Sequence, residues 1–204
     1  MRVNKKKFIY LISPNKIYKK FFKDLQKVLE TGKISFFQLR LKKYSFKHKI
    51  LIGQKIKNIC KKNKVKFLIN DDPILAKRLG ADGCHLGQKD MNIKEARKII
   101  GKKIIGITCH NSIALAKIAI KAKASYLAFG AFYSSKTKKT KYAANIKILN
   151  NIKKITKTPI VAIGGINSEN YKKLLLNNAN FLAISGYIWN NKKYKPLEAL
   201  ERLK

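Results

Sequence analysis

Asp71 and Asp90 carry the clearest chemical signal in this chain, because acids are rare in it: 10 Asp+Glu stand against 47 Lys+Arg in 204 residues. Each lies just past a short apolar run, Asp71 after Lys66-Phe67-Leu68-Ile69-Asn70 and Asp90 a few residues beyond the run that ends at Cys84. Two carboxylates that converge suit Mg²⁺, which takes few protein oxygens and completes its shell with water and substrate phosphate. The same residues also suit a helix cap at Asp71 and a turn at Asp90.

Cations follow the same rule of position. In Gln38-Leu39-Arg40-Leu41-Lys42, period-two spacing puts an amide, a guanidinium and an ammonium on one side of an extended segment. Facing inward, these groups would be costly without an anion, and arginine grips phosphate oxygens in a bidentate manner. Facing outward, they make an ordinary solvated edge. Asn70 and Thr108 also end apolar runs. Ser134-Ser135-Lys136-Thr137-Lys138 and the lysines after it form a polar run that suits phosphate or a lid, and equally a basic surface loop. Gly164-Gly165 and Ser185-Gly186 close two further runs, where backbone N–H groups at a following helix can cradle an anion and glycine permits close approach. Ordinary strand-to-helix turns would use the same residues. His85 and His110 sit at run ends as bases or ligands in waiting, without a nucleophile paired to either.

The elements that must position these groups are eight strand-like runs, at 8–12, 34–39, 66–69, 82–86, 103–107, 125–129, 159–163 and 181–185. They are near-continuously apolar, as strands buried on both faces are. Lysine-rich amphipathic stretches alternate with them, near 16–30, 46–62, 73–79, 92–100, 111–122, 145–155, 168–177 and 196–203. Eight alternations with no linker predict an α/β fold, a single compact TIM (β/α)8 barrel spanning 1–204 as one domain. In such a barrel the groups above share the C-terminal mouth, where active sites are built. Asp72-Pro73 predicts a capped helix start, Asn92 with Glu95 resembles a capping box, and Ser168 is placed to cap the helix after Gly164-Gly165. Gly80, Lys123 and Asn178 occupy equivalent helix-to-strand turns. Gly80 and Asn178 suit a left-handed residue there, and Lys123 suits it poorly.

A net charge of +37 invites a polyanionic partner. The lysines are spread along the whole chain, and neither an RNA-recognition sheet motif nor zinc-finger spacing appears. Nucleic acid is therefore not the expected partner; phosphorylated small molecules are, with the charge steering them inward. Cys60, Cys84 and Cys109 have no metal-ligand spacing and read as reduced thiols of a cytoplasmic protein. Residues 2–7 are basic and 8–12 apolar, but this run is too short for a secretory signal, and no stretch approaches a membrane span. The sequence is compatible with a homo-oligomer and does not specify one.

Seven blocks together resemble the thiamine phosphate synthase family, of the thiamine phosphate synthase/thiazole tautomerase superfamily. They are QLRLK (38–42), INDD (69–72), GADGCHLGQKDM (80–91), GITCHNS (106–112), AFGAFYSSKTK (128–138), AIGGI (162–166) and LAISG (182–186). The resemblance implies a TIM barrel, Mg²⁺ as cofactor, and a transferase. The implied reaction condenses 4-amino-2-methyl-5-pyrimidinylmethyl diphosphate with 4-methyl-5-(2-phosphoethyl)thiazole, giving thiamine phosphate and pyrophosphate. It implies that Gln38, Arg40, Lys42, Asn70, Thr108 and Lys138 hold the pyrimidine diphosphate. Ser135, Thr137, Gly165, Ser185 and Gly186 would hold the thiazole phosphate, and Asp71 and Asp90 the metal. Arg40, Lys42 and Lys138 would carry catalysis by neutralising the leaving group. Ser135 and Thr108 stand where many members have Thr and Ser, and Ser134 replaces the usual Pro. Thiazole tautomerase is the enzyme alternative, which Asp71, Asp90, Lys42 and Lys138 argue against and His110 keeps open. A basic nucleic-acid-binding barrel is the alternative of another class.

Overall fold

The computed structural model describes residues 8–134 and 142–204. The eight apolar runs form parallel strands: β1 (Ile9–Ile12), β2 (Ile34–Leu39), β3 (Lys66–Asn70), β4 (Gly83–Leu86), β5 (Ile104–His110), β6 (Tyr126–Gly130), β7 (Ile160–Ile163) and β8 (Phe181–Ile184). They close in sequence order, β8 pairing with β1, into the expected barrel. The near-continuous hydrophobicity has a two-sided cause. Alternate residues such as Leu11, Phe37, Phe67, Ile105 and Phe129 are buried against the helices. Their neighbours Tyr10, Ile12, Leu68, Tyr126, Ala128, Val161 and Ala183 fill the barrel interior.

Helices α1 (Phe21–Glu30), α2 (Phe46–Lys62), α3 (Pro73–Leu79), α4 (Ile93–Ile100), α5 (Ile113–Lys121), α6 (Lys147–Lys153), α7 (Tyr171–Leu176), α8 (Gly186–Trp189) and α9 (Pro196–Glu201) follow the strands. The expected cap at Asp72 forms, its Oδ1 accepting the Leu75 N–H at 2.8 Å with Pro73 behind it, and at Asn92 the forward half of the capping box forms, Oδ1 accepting the Glu95 N–H at 3.0 Å.

Three expectations change. Helix α1 starts at Phe21, because the segment before it is tied elsewhere: the Ile17 N–H donates to the Tyr44 hydroxyl at 3.0 Å. Helix α7 starts at Tyr171, and its entry is organised by Asn167 and Asn170 in place of Ser168. Asn170 Oδ1 accepts the Asn167 N–H, and Asn167 Oδ1 accepts the N–H groups of Glu169 and Asn170. The short α8 was not expected at all; four residues are too few to show helical periodicity.

The repeated turn is real. Gly80, Lys123 and Asn178 all adopt left-handed backbone, with φ of 59°, 60° and 71°. Lysine is strained there by about 1–2 kcal/mol, less what a glycine would lose through its freer unfolded chain. Lys123→Gly is therefore expected to stabilise the barrel by about 0.5–1 kcal/mol in urea unfolding. A lower midpoint than that of the parent chain would refute the strain at this turn.

Candidate active site

Each strand delivers its last inward residue, and the turn after it, to one end of the barrel. Gln38 near the end of β2 is 2% exposed, and its Nε2 donates to Oδ1 of Asn70 at 3.1 Å. Strand β2 stops at Leu39, so the period-two alternation does not carry through to Lys42. Arg40 instead anchors to the loop after β1: its N–H donates to Ser13 Oγ at 2.9 Å, and its Nη1 donates to Asn15 Oδ1 at 2.7 Å. Lys42 reaches across from its turn to Asp71, Nζ to Oδ2 2.9 Å, with its side chain 57% exposed.

Asp71 sits directly after β3 with φ 64°, a conformation an aspartate tolerates but that costs free energy and recurs at functional positions. Its N–H donates to the His85 carbonyl of β4 at 2.8 Å. Asp90 is aimed back by its own turn, Oδ2 accepting the Gly87 N–H at 2.7 Å. The two carboxyl groups lie close enough for each to shift the titration of the other. Burial opposes charge on both. At Asp71 the Lys42 ammonium outweighs burial, and its pKa falls below the ordinary value. At Asp90 burial and the neighbouring Asp71 outweigh the Gly87 N–H, and its pKa rises. Such a pair fits a divalent cation, which would relieve the repulsion that raises the Asp90 pKa. No cluster of three or more His, Cys, Asp or Glu occurs among the described residues, so any ion here would draw on two carboxylates, water and ligand, as Mg²⁺ does.

Thr108 of β5 faces His85, Oγ1 to Nε2 2.8 Å, and its carbonyl accepts from the Gln88 side chain. Burial pushes the His85 pKa down to about 4, so the ring is neutral near pH 7. His110 ends β5 with φ 53° and stacks on Tyr142, ring centres 4.0 Å apart.

Across the mouth, Gly164 and Gly165 adopt φ of 108° and 62°. A Cβ on Gly165 would lie 2.3 Å from the Ser134 carbonyl oxygen, so the turn after β7 needs glycine for its packing against the turn after β6 as well as for any anion. Ser185 precedes α8 and donates from Oγ to the Ser13 carbonyl at 3.1 Å; Gly186 is the first residue of α8. Ser135, Thr137 and Lys138 lie outside the described residues.

The sequence reading missed Ser13 and Asn15, which hold Arg40, although both follow the β1 run by the same rule that found the others. Tyr10 and Tyr126 lie within the apolar runs 8–12 and 125–129, where nothing local marks their hydroxyls. The three cysteines are buried free thiols, and burial pushes Cys84 and Cys109 up to about 12, which leaves them without nucleophilic character at neutral pH. No described helix is long and apolar enough to cross a membrane.

A closed parallel barrel whose mouth collects paired acids, cations, amides and glycine turns defines an α/β-barrel enzyme built for phosphorylated ligands. A family model described as "Thiamine monophosphate synthase" matches residues 9–188. The chain is 69% identical over 207 residues to a thiamine-phosphate synthase of Pelagibacter ubique, with all of both chains covered. It is 39% identical over 196 residues to one of Erythrobacter litoralis, covering 94% of this chain and 92% of that one. Among solved structures, thiamine phosphate pyrophosphorylase from Pyrococcus furiosus matches at 27% identity with a TM-score of 0.86, covering 97% and 94% of the two chains. The chain belongs to the thiamine monophosphate synthase family, and it is a transferase of thiamine phosphate synthesis.

Proposed function

We propose that this barrel joins 4-amino-2-methyl-5-pyrimidinylmethyl diphosphate to 4-methyl-5-(2-phosphoethyl)thiazole with Mg²⁺ held by Asp71 and Asp90. The observation that supports it most is the meeting of Lys42, Asp71 and Asp90 at the mouth beside the Gln38–Asn70 pair. Gln38, Arg40, Asn70 and Thr108 hold and orient the pyrimidine diphosphate. Arg40, Lys42 and, by its place in the matching loop block, Lys138 neutralise the departing pyrophosphate, the charge that develops in the transition state. Bound Mg²⁺ would supply further charge stabilisation to that leaving group. The aminopyrimidine itself stabilises the methylene cation, and the thiazole nitrogen attacks it without a protein base. That agrees with a neutral His85 and raised cysteines at this end of the barrel. The buried free thiols also support a reducing, cytoplasmic setting.

Calorimetry tests the metal and diphosphate together. Because the cation on Asp71 and Asp90 and the diphosphate anion would be bound side by side with opposite charge, Mg²⁺ should tighten the pyrimidine diphosphate and the diphosphate should tighten Mg²⁺ by the same factor. Independent binding of the two would contradict a common site.

Gly165, Ser185 and Gly186, together with Ser135 and Thr137 by their place in the matching loop block, are assigned to the thiazole phosphate. Gly186→Val adds bulk at the start of α8. It should raise the apparent constant for the thiazole phosphate about tenfold, equivalent to ~1.4 kcal/mol, and affect the pyrimidine diphosphate far less. Unchanged thiazole-phosphate affinity would move the cradle elsewhere.

A further inference from the structure

Four polar side chains form one chain through the barrel interior, from its sealed centre to the candidate site. The Tyr10 hydroxyl lies 2.8 Å from that of Tyr126, the Tyr126 hydroxyl lies 2.9 Å from His85 Nδ1, and His85 Nε2 lies 2.8 Å from Thr108 Oγ1. The rings are packed in place, Tyr126 stacked on His85 at 11° and meeting Tyr10 edge-on at 79°. Tyr10 and Tyr126 are 2% and 3% exposed, while His85 and Thr108 are partly open at the mouth.

Such a chain can run in two directions. If Thr108 donates to His85, then His85 Nδ1–H donates to Tyr126 and Tyr126 donates to Tyr10. The Tyr10 proton is then left without an acceptor, since Tyr126 is the hydrogen-bond partner of its hydroxyl among the described residues. A buried donor without a partner is destabilising, because its hydration is lost and nothing replaces it. If Tyr10 donates to Tyr126 instead, Tyr126 donates to Nδ1, Nε2–H donates to Thr108, and every buried proton has an acceptor. The free proton then sits on Thr108 Oγ, at the open end.

We infer that Tyr126 and His85 are positioning residues: the Tyr126 hydroxyl fixes His85 in its Nε2–H tautomer and thereby makes Thr108 a hydrogen-bond donor to an acceptor atom of the substrate. The dead end of the chain sets the polarity of the hydroxyl at its mouth. The direction follows from the free protein; its use on the pyrimidine diphosphate rests on the function proposed above. A site that offers a fixed donor discriminates strongly against a ligand that presents a donor at the same point, because two buried donors would face each other.

The test reads the tautomer and the activity separately. Nitrogen-15 shifts of the labelled free protein, with His85 assigned by its loss in His85→Gln, should show a proton on Nε2 and a bare Nδ1. A proton on Nδ1 overturns the inference whatever the enzyme does. Tyr126→Phe removes the donor to Nδ1, so His85 should become a tautomer mixture and kcat/KM for the pyrimidine diphosphate should fall about tenfold. Tyr10→Phe deletes the other hydroxyl of the same Tyr–Tyr bond, yet leaves Tyr126 free to donate; tautomer and kcat/KM should stay within about twofold of the parent. Equal losses in the two variants would mean packing alone, and an unaffected Tyr126→Phe would equally overturn the role. Absence of turnover in the parent enzyme would instead count against the proposed reaction and leave the tautomer assignment standing.

Discussion

Asp71→Asn and Asp90→Asn are each expected to cut turnover by about a hundredfold or more, some 2.7 kcal/mol of transition-state stabilisation, with the barrel still folded. Asparagine keeps the shape of each side chain and most of its hydrogen bonds. At Asp90 an amide oxygen can still accept from Gly87, and at Asp71 the φ of 64° suits asparagine equally well. What disappears is negative charge at the point where Lys42, Asp71 and Asp90 meet. Losing one of two carboxylates leaves a hard divalent ion with too few anionic oxygens to compete with water. Circular dichroism should match the parent chain while Mg²⁺ affinity and turnover fall together. Turnover preserved in either variant, or in the parent protein after EDTA treatment, would remove the metal from the account.

Gly106→Ala should be among the most damaging conservative changes in the barrel. An added Cβ would lie 1.9 Å from Tyr126 Cζ and 2.2 Å from its Cε2. That ring is held in place, because its hydroxyl is bonded to Tyr10 and His85 and it stacks on His85 and meets Tyr10 edge-on. Overpacking of this kind costs about 1–3 kcal/mol, with the lost hydrogen bonds adding to it. Urea unfolding should show the drop, and pairing the change with Tyr126→Val should recover part of it by vacating the contested space. A single variant within about 0.5 kcal/mol of the parent would show that Tyr126 has room to move.

The strands were legible because a parallel barrel buries both faces of each one, and Phe37 and Phe36, or Leu127 and Tyr126, are apolar for different neighbours. The mouth was legible for a related reason: a polar residue straight after such a run has few places to be except the barrel end. Local capping was readable where a single side chain does it, as at Asp72, and misread where two cooperate, as at Asn167 and Asn170. What no local pattern could show is contact over long separation. Arg40 meets Asn15 across 25 residues, and the Tyr10–Tyr126 bond spans 116. Within their runs both tyrosines look like hydrophobic filling. Only closure of the barrel turns their hydroxyls toward one another and toward His85.

The central claim is a condensation that releases pyrophosphate as the two thiamine halves join. Purified protein, Mg²⁺ and both phosphorylated halves should yield thiamine phosphate and pyrophosphate in equal amounts. Product should vanish when either half is withheld or the metal is chelated. Failure to form thiamine phosphate from both halves with Mg²⁺ present would contradict the account.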